Sequence, residues 1–414
     1  MFRVSTDMSN DDMAYQLRIR EFQMNQLDNQ MGSQTRILNL RDDPIGAAHA
    51  VRFESKLARL DRYTKNVNAV IDSNNIADGY LKSATEIVQR VREIAVQGAN
   101  GTFSASDLKN MGQEVNQLLN ELVQIANGRS ADGTTLFAGE RTQGMAFRTL
   151  QGNVPGASGQ VVTEVQYTGT IGRNLVQTSD VGTIPQGLPG NGLFWAEQQQ
   201  VLANLDATGY VVQNDSVISI DGREIKLAAG DNVSAIIAKI NDSGAMVKAS
   251  LDPVKNSLVL QTTAPHQLWL EDVQGTSLRD LGIIDPVNGR PPHNIASDAR
   301  LSGGSLFDMV ISLRDQLFAG NQVDVGGQGI KGIDAGLGNL VAGRAELGSI
   351  NERLKGVAGR IAFEIPAVQQ EDSRVKDLDV TKAATDLKLL EYTHQAALQT
   401  AGRILPPTLL DFLR

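Results

Sequence analysis

The chain has 414 residues, with 41% hydrophobic residues, no cysteine and a formal net charge of −9. Its length allows about two to four domains, and its acidic balance argues against a nucleic-acid partner, which usually meets a basic face. The absence of cysteine excludes disulfides, thiol nucleophiles and thiolate metal sites. We also expect no membrane insertion, because no window approaches about 18 consecutive apolar residues.

The segment from Asp7 to Asn39 has the pattern of a helix with a thin apolar stripe and a wide, amide-rich surface. Such a helix is marginal in isolation, and its methionines adapt to varied partners. We therefore expect it to become ordered only against partners, and the alternative is an ordinary surface helix of a bundle. The stripe consists of Leu17, Met24, Leu27, Met31 and Leu38.

Residues Asp43 to Thr102 read as one uninterrupted amphipathic helix with a seven-residue apolar repeat, which is typical of a coiled coil. Asp43 is suited to cap the first free amides, and Pro44 fits the first turn. Asn74 lies on the apolar seam, where it is either a buried amide that fixes the register or a solvated side chain. The seam comprises Phe53, Leu60, Val67, Leu81, Val88 and Ala95, with Leu57, Val70 or Ile71, Ala77, Ala84 and Val91 three or four residues on.

Shorter elements follow the long helix. Ser106 is placed to cap a helix that ends at Asn127-Gly128 and folds back antiparallel on the long one. Asp132-Gly133 reads as a tight turn beside a short strand, and Val161 to Tyr167 alternates as a further strand.

Residues 182–192 are rich in glycine and proline and mark a boundary. After this boundary the sequence shows mainly strand and turn patterns. Asp221-Gly222 is a hairpin signal, and Asp231 is placed to cap an apolar helix. Two more strands are predicted at Val247 to Leu251 and Leu258 to Gln261. We interpret residues 206–284 as a small α+β insertion.

Helical periodicity then returns from Leu306 to Leu317 and from Ile333 to Ile361, and we expect the second of these helices to end before Pro366. A last helix begins near Asp379 and ends before Pro406-Pro407. Its seam includes Val380, Leu387, Leu390, Ala397 and Ile404. Helices therefore occupy both ends of the chain and β structure lies only between them, so we expect helices from the two ends to pair.

The sequence shows no constellation of residues for catalysis, cofactor binding or metal binding. Its four histidines, His49, His266, His293 and His394, are scattered, and none has a second ligand type at metal-site spacing. Phosphate-binding and nucleophile-elbow motifs are absent. We predict no enzyme, and the features that remain are surfaces for association. A ligand-binding or enzymatic module in the insertion is a remote alternative.

Several stretches resemble the flagellin family of bacterial flagella. The run from Gln89 to Thr102 is similar to the end of the long helix in the family's core domain. The segment Arg41–Ala48 is similar to the start of that helix, and the segment Leu136–Gly139 is similar to a strand and turn of the family. The core motif within the first run consists of Gln89, Arg90, Val91, Arg92, Glu93, Asn100 and Gly101.

Within that family, three details resemble the branch whose members join the hook to the filament. They are the opening Phe2-Arg3-Val4-Ser5-Thr6, the proline at 44 after paired aspartates, and the ending Leu410-Asp411-Phe412-Leu413. Segments of the insertion, among them Ile220-Asp221-Gly222 and Val247-Lys248-Ala249, are similar to the flagellin hook IN motif.

The resemblance implies a mainly helical fold with β insertions, in which both termini form a long coiled-coil bundle beside a β-containing core and a small inserted α+β domain. The implied ranges are 1–42 and 367–414 for the terminal helices, 43–180 and 300–366 for the core, and 190–295 for the insertion. The terminal helices are expected to be disordered in the monomer and to fold at assembly.

The resemblance also implies a structural adaptor of the flagellum that self-associates into a ring and joins flagellin to a hook-associated protein on the hook side. The alternative is flagellin itself, the bulk filament subunit. Export through the flagellar type III apparatus with a dedicated chaperone is implied as well. Assembly is assigned to the terminal seams given above, and chaperone contact to Leu387, Leu390, Leu398 and Leu405.

Overall fold

The computed structural model describes residues 6–404, and the chain divides into two compact units. The first contains the described residues up to Lys65 and from Ala358 onward, and the second is Asn66–Val357. The helices are α1 Thr6–Ser33, α2 Pro44–Gly98, α3 Ala105–Ala126, α4 Gly190–Leu193, α5 Val233–Asp242, α6 Ser277–Asp280, α7 Leu306–Ala319, α8 Gln322–Asp324, α9 Ile330–Lys376 and α10 Val380–Ile404. The mainly helical fold with inserted β structure is confirmed.

The strands pair in antiparallel fashion in small sheets within the second unit. β1 pairs with β2, β3 pairs with β4, and the inserted domain holds the orders β10-β6-β7 and β11-β5-β9-β8. The strands are β1 Phe147–Asn153, β2 Gln160–Tyr167, β3 Asn174–Gln177, β4 Thr183–Gln186, β5 Gln200–Leu202, β6 Ser216–Ile220, β7 Arg223–Leu227, β8 Val247–Leu251, β9 Leu258–Thr262, β10 Leu270–Gln274 and β11 Arg300–Ser302.

In the first unit, α1 and α10 pack against each other as an antiparallel pair, which we call the terminal helix pair. The Arg20 guanidinium donates a hydrogen bond of 2.9 Å to the carbonyl of Thr393. Near the other end of α1, the amide of Leu378 donates to the carbonyl of Gln34 at 3.1 Å. Because residue numbers on α10 fall as those on α1 rise, the start of α1 and the end of α10 lie at the same end of this pair.

The predicted heptad seam of α2 is the core of the helical bundle. Val67, Leu81, Val88, Ala84 and Val91 are each fully buried, as expected for apolar positions that recur every seven residues along one helix face. The other side of the core comes from α9, which carries its own fully buried positions. These include Ile333, Leu340 and Leu354.

Salt bridges show that α2 and α9 run antiparallel. Arg344 contacts Asp78 at 2.8 Å, and Arg92 contacts Asp334 farther along α2. The expected folding back of α3 is confirmed, because Arg90 of α2 reaches Glu114 of α3 at 2.8 Å. A carboxylate and a guanidinium on facing helices also satisfy each other's charge without entering the core.

The helix starts differ slightly from those predicted. Ser104, not Ser106, caps α3, because its side chain accepts from the amide of Asp107 while the Asp107 carboxylate accepts from the amide of Ser104. Asn232, not Asp231, caps α5 by accepting from the amide of Ala235. In both cases a neighbouring polar residue competes for the same free amides, and only the three-residue spacing decides which one reaches them.

The predicted end of α9 before Pro366 is wrong, since the helix continues through this proline to Lys376. Proline removes one intrahelical hydrogen bond, but Ile361 and Val368 are buried on either side of it and Lys56 pairs with Glu364 at 2.6 Å. These anchors keep the helix continuous across the lost bond.

The inserted domain, taken here as strands β5 to β11 with the helices between them, has its own hydrophobic core. Hairpin β6–β7 turns at Asp221-Gly222 as predicted, and α5, β8 and β9 lie where the sequence placed them. The short strand expected beside Asp132-Gly133 is reduced to a single bridge between Arg129 and Thr135. Fully buried members of the domain's core include Ile218, Ile220, Ile236, Ile240, Leu258 and Leu260.

Candidate assembly surface

The terminal helix pair carries the residues that the sequence assigned to assembly, and it buries them only in part. Half-buried positions on the pair are Leu17, Met24, Leu27, Met31, Leu387, Leu390 and Ala397. Leu38 is also half-buried, but α1 ends at Ser33, so the expected continuation of this helix to Asn39 is wrong. Val380, at the start of α10, is 48% exposed. Two helices can cover only one face of each other, so the remaining apolar surface stays in contact with solvent.

The outer faces of the same pair expose further large apolar side chains. Phe22 is 59% exposed and Tyr392 is 72% exposed. A groove of about 600 Å³ between the helices is lined by residues that include Met13, Leu17 and Tyr392. Exposed apolar patches are typical of surfaces that bind a protein partner. Others of this kind on the pair are Tyr15, Leu389 and Leu398.

The residues assigned to chaperone contact lie on α10. Leu387 and Leu390 are half-buried, whereas Leu398 is 49% exposed. Leu405 lies outside the described residues, as does the side chain of Ile404. Leu387 and Leu390 therefore form a partly buried apolar patch, and Leu398 is open to solvent.

The core motif divides between the interior and the surface. Val91 is fully buried, while Gln89, Arg90, Arg92, Glu93, Asn100 and Gly101 are exposed. The hydrogen bond to Glu114 is the main cause that raises the pKa of Arg90, and the hydrogen bond to Asp334 raises that of Arg92. Both guanidinium groups are therefore held as fixed cations that link α2 to neighbouring helices.

Asn74 is fully buried at the centre of the seam, so the buried interpretation is the right one. Its amide nitrogen donates to Asn351 Oδ1 at 3.0 Å, and its amide oxygen accepts from the backbone of Gly187 at 3.3 Å. Asn351 in turn donates to Asn75 at 3.1 Å. This polar layer pairs only when α2 and α9 hold one axial register, because a shift of one helical turn would separate every partner.

The histidines do not converge on one site. Across residues 6–404, no three side chains of His, Cys, Asp or Glu are grouped as metal ligands, and no described helix is both long and apolar enough to cross a membrane. His266 does have a partner that sequence reasoning missed, since its Nε2 lies 2.9 Å from Asp221 Oδ2. The hairpin signal at Asp221 predicted a turn, but nothing local indicated that its carboxylate would reach a histidine 45 residues later.

Comparison with known families accounts for most of the chain. Residues 4–142 match the bacterial flagellin N-terminal helical region, residues 211–264 the flagellin hook IN motif, and residues 330–413 the bacterial flagellin C-terminal helical region. The three matched segments flank or occupy the helical core, the inserted domain and the terminal helix pair.

Curated relatives are similar along nearly their whole length. Polar flagellin C of Vibrio parahaemolyticus is 25% identical over 99% of this chain and 99% of its own. Flagellin A of Vibrio cholerae is 25% identical over 93% of this chain and 92% of its own.

Among solved structures, the chain is similar to flagellar hook-associated protein 3 from Legionella pneumophila, with 14% identity and a TM-score of 0.47, covering 78% of this chain and 98% of that one. FlgL from Xanthomonas campestris has 16% identity and a TM-score of 0.46, covering 78% of this chain and 99% of that one.

Proposed function

This chain belongs to the flagellin family, and we propose that within it the protein is a structural adaptor that joins the hook to the flagellin filament. It is a component of the bacterial flagellum. In this proposal, subunits form a ring through their terminal helices, contact a hook-associated protein on one side and receive flagellin on the other. The role is structural and requires no catalysis.

The observation that carries the proposal is the incomplete burial of the terminal helix pair. Each fully buried Leu, Phe or Met side chain contributes about 1.5–3 kcal/mol to association, before the cost of ordering. Association that buries these side chains would therefore contribute binding free energy that is not realised in the monomer. They are the half-buried Leu17 and Leu390 and the exposed Phe22 and Tyr392. Neighbouring subunits of the same kind would cover these groups.

Coupled folding of the terminal helices is part of the proposal. We infer that residues 5–39 and 380–405 become stably ordered only when subunits pack together, after release from a chaperone that covers the apolar face of α10. The amide-rich surface of α1 supports this, because a thin apolar stripe gives little stability to an isolated helix pair. Export through the flagellar type III apparatus, which takes unfolded chains, fits the same property.

Hydrogen exchange on the isolated full-length monomer tests the coupled-folding claim. We expect amides of α1 and α10 to exchange rapidly, while those near Leu81 and Val88 in α2 stay protected. Strong protection of both terminal helices without partners would refute it. The same measurement on assembled protein should show new protection confined to α1 and α10.

The sequence details at Thr6, Pro44 and Leu410–Leu413 favour the adaptor over the bulk filament subunit. The curated relatives named flagellin make the bulk subunit the second candidate. Deletion of the gene separates the two. An adaptor's loss leaves complete hooks and releases flagellin into the medium, whereas loss of the bulk subunit leaves hooks with no flagellin in the medium.

Seeded assembly gives an independent answer. Purified protein added to short filament seeds should add a layer of fixed thickness and stop if it is an adaptor. Continued elongation in proportion to the protein supplied would establish the bulk subunit instead.

A further inference from the structure

We propose that Asp221, His266 and Asn339 form a charge-dependent latch that holds the inserted domain on helix α9 and that weakens as the solution becomes alkaline. The latch lies entirely within the second unit and is separate from the assembly surface. Its three residues come from the hairpin turn β6–β7, the segment after β9, and the long helix α9. None of them is used by the proposed adaptor function.

Both ring nitrogens of His266 face acceptors that carry no proton. Nε2 lies 2.9 Å from the Asp221 carboxylate, and Nδ1 lies 2.8 Å from the carbonyl of Ala264. A neutral imidazole has one N–H and can satisfy only one of these groups, whereas the imidazolium ion satisfies both. The ring is 6% exposed, so water is poorly placed to replace a lost bond. The observed geometry therefore favours the charged form.

Asp221 fixes the position of this ring. Its Oδ1 accepts from the amide of Trp269 at 3.0 Å, and its Oδ2 faces His266. The amide of Asp221 also donates to the carbonyl of Trp269 at 2.9 Å. The residue stands at the tip of the hairpin with a φ of +50°, a conformation that short polar side chains tolerate best. The hairpin is thus tied to the segment that carries His266.

The same segment is tied to α9 by Asn339. Its amide nitrogen contacts the carbonyl of Gly192 and donates to that of Trp195 at 3.0 Å, with the carbonyl of Pro265 at 3.5 Å. Pro265 is the residue before His266. The amide of Asn339 has two N–H groups and its shorter contacts are to Gly192 and Trp195, so the contact to Pro265 is the weakest of the three. In this proposal, loss of a hydrogen bond at His266 loosens that contact first.

The other charged groups at this place are an aspartate, an arginine and a glutamate. A cleft of about 400 Å³ beside His266 is also lined by Arg173 and Glu346, which form an ion pair of 2.8 Å with each other. Asp221, Arg173 and Glu346 are the charged residues that line the cleft with His266. His266 is the only histidine among the residues that line this cleft, and histidine is the side chain whose ordinary pKa lies nearest neutral pH.

The direction of the pH dependence follows from the opposing effects on the pKa of His266. Burial by itself would lower the pKa of this histidine, but the hydrogen bond and charge of Asp221, together with the Ala264 carbonyl, raise it above its ordinary value of 6.5. A raised pKa in the folded state means that the latch contributes its full stability below about pH 6.5. That contribution is lost as the pH rises through the higher, folded-state pKa.

The test uses the full-length protein with its histidines labelled for NMR. We expect His266, assigned by its absence in His266→Gln, to titrate above 6.5, and Asp221→Asn to lower its pKa by about one unit or more. A pKa of His266 at or below 6.5 in the unmodified protein would overturn the latch, as would a pKa unchanged by Asp221→Asn.

Hydrogen exchange of the Gln267 and Leu268 amides, corrected for the intrinsic effect of pH, tests the opening itself. Protection should fall between pH 6 and 9 by about tenfold for each unit by which the folded-state pKa exceeds the unfolded one. His293→Gln is the matched control and should keep this dependence, because His293 contacts the Tyr167 carbonyl through one nitrogen. Protection that is independent of pH in the unmodified protein refutes the latch, even if His266→Gln fails to fold.

Discussion

Two helix pairs in this chain carry the same seven-residue apolar repeat and bury it to different degrees. In the second unit, the seam of α2 at Val67, Leu81 and Val88 is completely removed from solvent. In the first unit, the seams of α1 and α10 at Leu17 and Leu390 are only half-buried. One repeat therefore serves two purposes. Where further layers cover the helix it makes a core, and where only one partner helix is present it leaves part of the apolar seam exposed to solvent.

The sharpest way to test this contrast is to place charges on the half-buried seam. We expect Leu387→Asp combined with Leu390→Asp to abolish incorporation into flagella while leaving thermal unfolding of the second unit nearly unchanged, because a carboxylate cannot enter an apolar contact between subunits. Incorporation is measured in isolated hook and filament fractions, and unfolding by calorimetry.

Lys388→Asp is the matched control, because it adds a negative charge at an exposed position between the two leucines. It should incorporate normally. If the double substitution lowered the unfolding temperature of the second unit as much as it lowered incorporation, the terminal helices would belong to the monomer's core and the contrast would fail.

Truncation in the two seams should give unequal losses of stability. Leu81 is fully buried, so Leu81→Ala should lower the free energy of unfolding by about 2–5 kcal/mol. Leu17→Ala removes a half-buried side chain and should cost about 1 kcal/mol or less in the monomer. Denaturant unfolding of both variants gives the comparison, and equal losses would show that the two seams are equally packed.

A substitution at the polar layer tests how the complete seam is held in register. Asn74→Leu leaves Asn351 and the amide of Gly187 without their partner, so we expect a loss of about 1–3 kcal/mol in unfolding free energy. Asn68→Leu, at an exposed position of the same helix, should change it little. The register can be followed by disulfide cross-linking between one cysteine introduced into α2 and one introduced into α9. If Asn74→Leu were more stable and its cross-linking were unchanged, the polar layer would not set the register.

The smallest effect is expected at the exposed ion pair between Arg92 and Asp334. Both side chains are nearly half exposed, so water and salt screen their attraction. Arg92→Ala should shift the unfolding midpoint less than Asn74→Leu does, and the shift should shrink further at high salt. Arg92→Lys keeps the charge and serves as the control. A large shift of the unfolding midpoint that does not depend on salt would mean that the Arg92 side chain stabilises the fold mainly through packing contacts, despite its exposure.

The elements with strong periodicity were predictable from sequence because the signal is repeated many times. Each of the buried seam positions of α2 supports the same helix face, and α10 was placed to within about a residue of its start. The hairpin at Asp221-Gly222 was equally accessible, since its turn chemistry lies within two residues. These features depend on local spacing alone.

The features that escaped prediction depend on partners distant in the chain. The state of Asn74 was left open because the amide of Gly187, which donates to its Oδ1, lies 113 residues away. The pairing of His266 with Asp221 was missed for the same reason. The continuation of α9 through Pro366 reflects packing on both sides of the proline, which local helix propensity does not contain. Site residues on the terminal helices were recognisable as apolar stripes, but their degree of burial was not.

The contact between Arg20 and Thr393 joins residues 373 positions apart, close to the largest separation that this chain allows. Closing a loop of this length costs conformational entropy that grows with the number of residues in the loop, and contacts between distant residues form slowly. Folding of the segments between α1 and α10 shortens that loop, so the pairing of these two helices is expected to come late in folding.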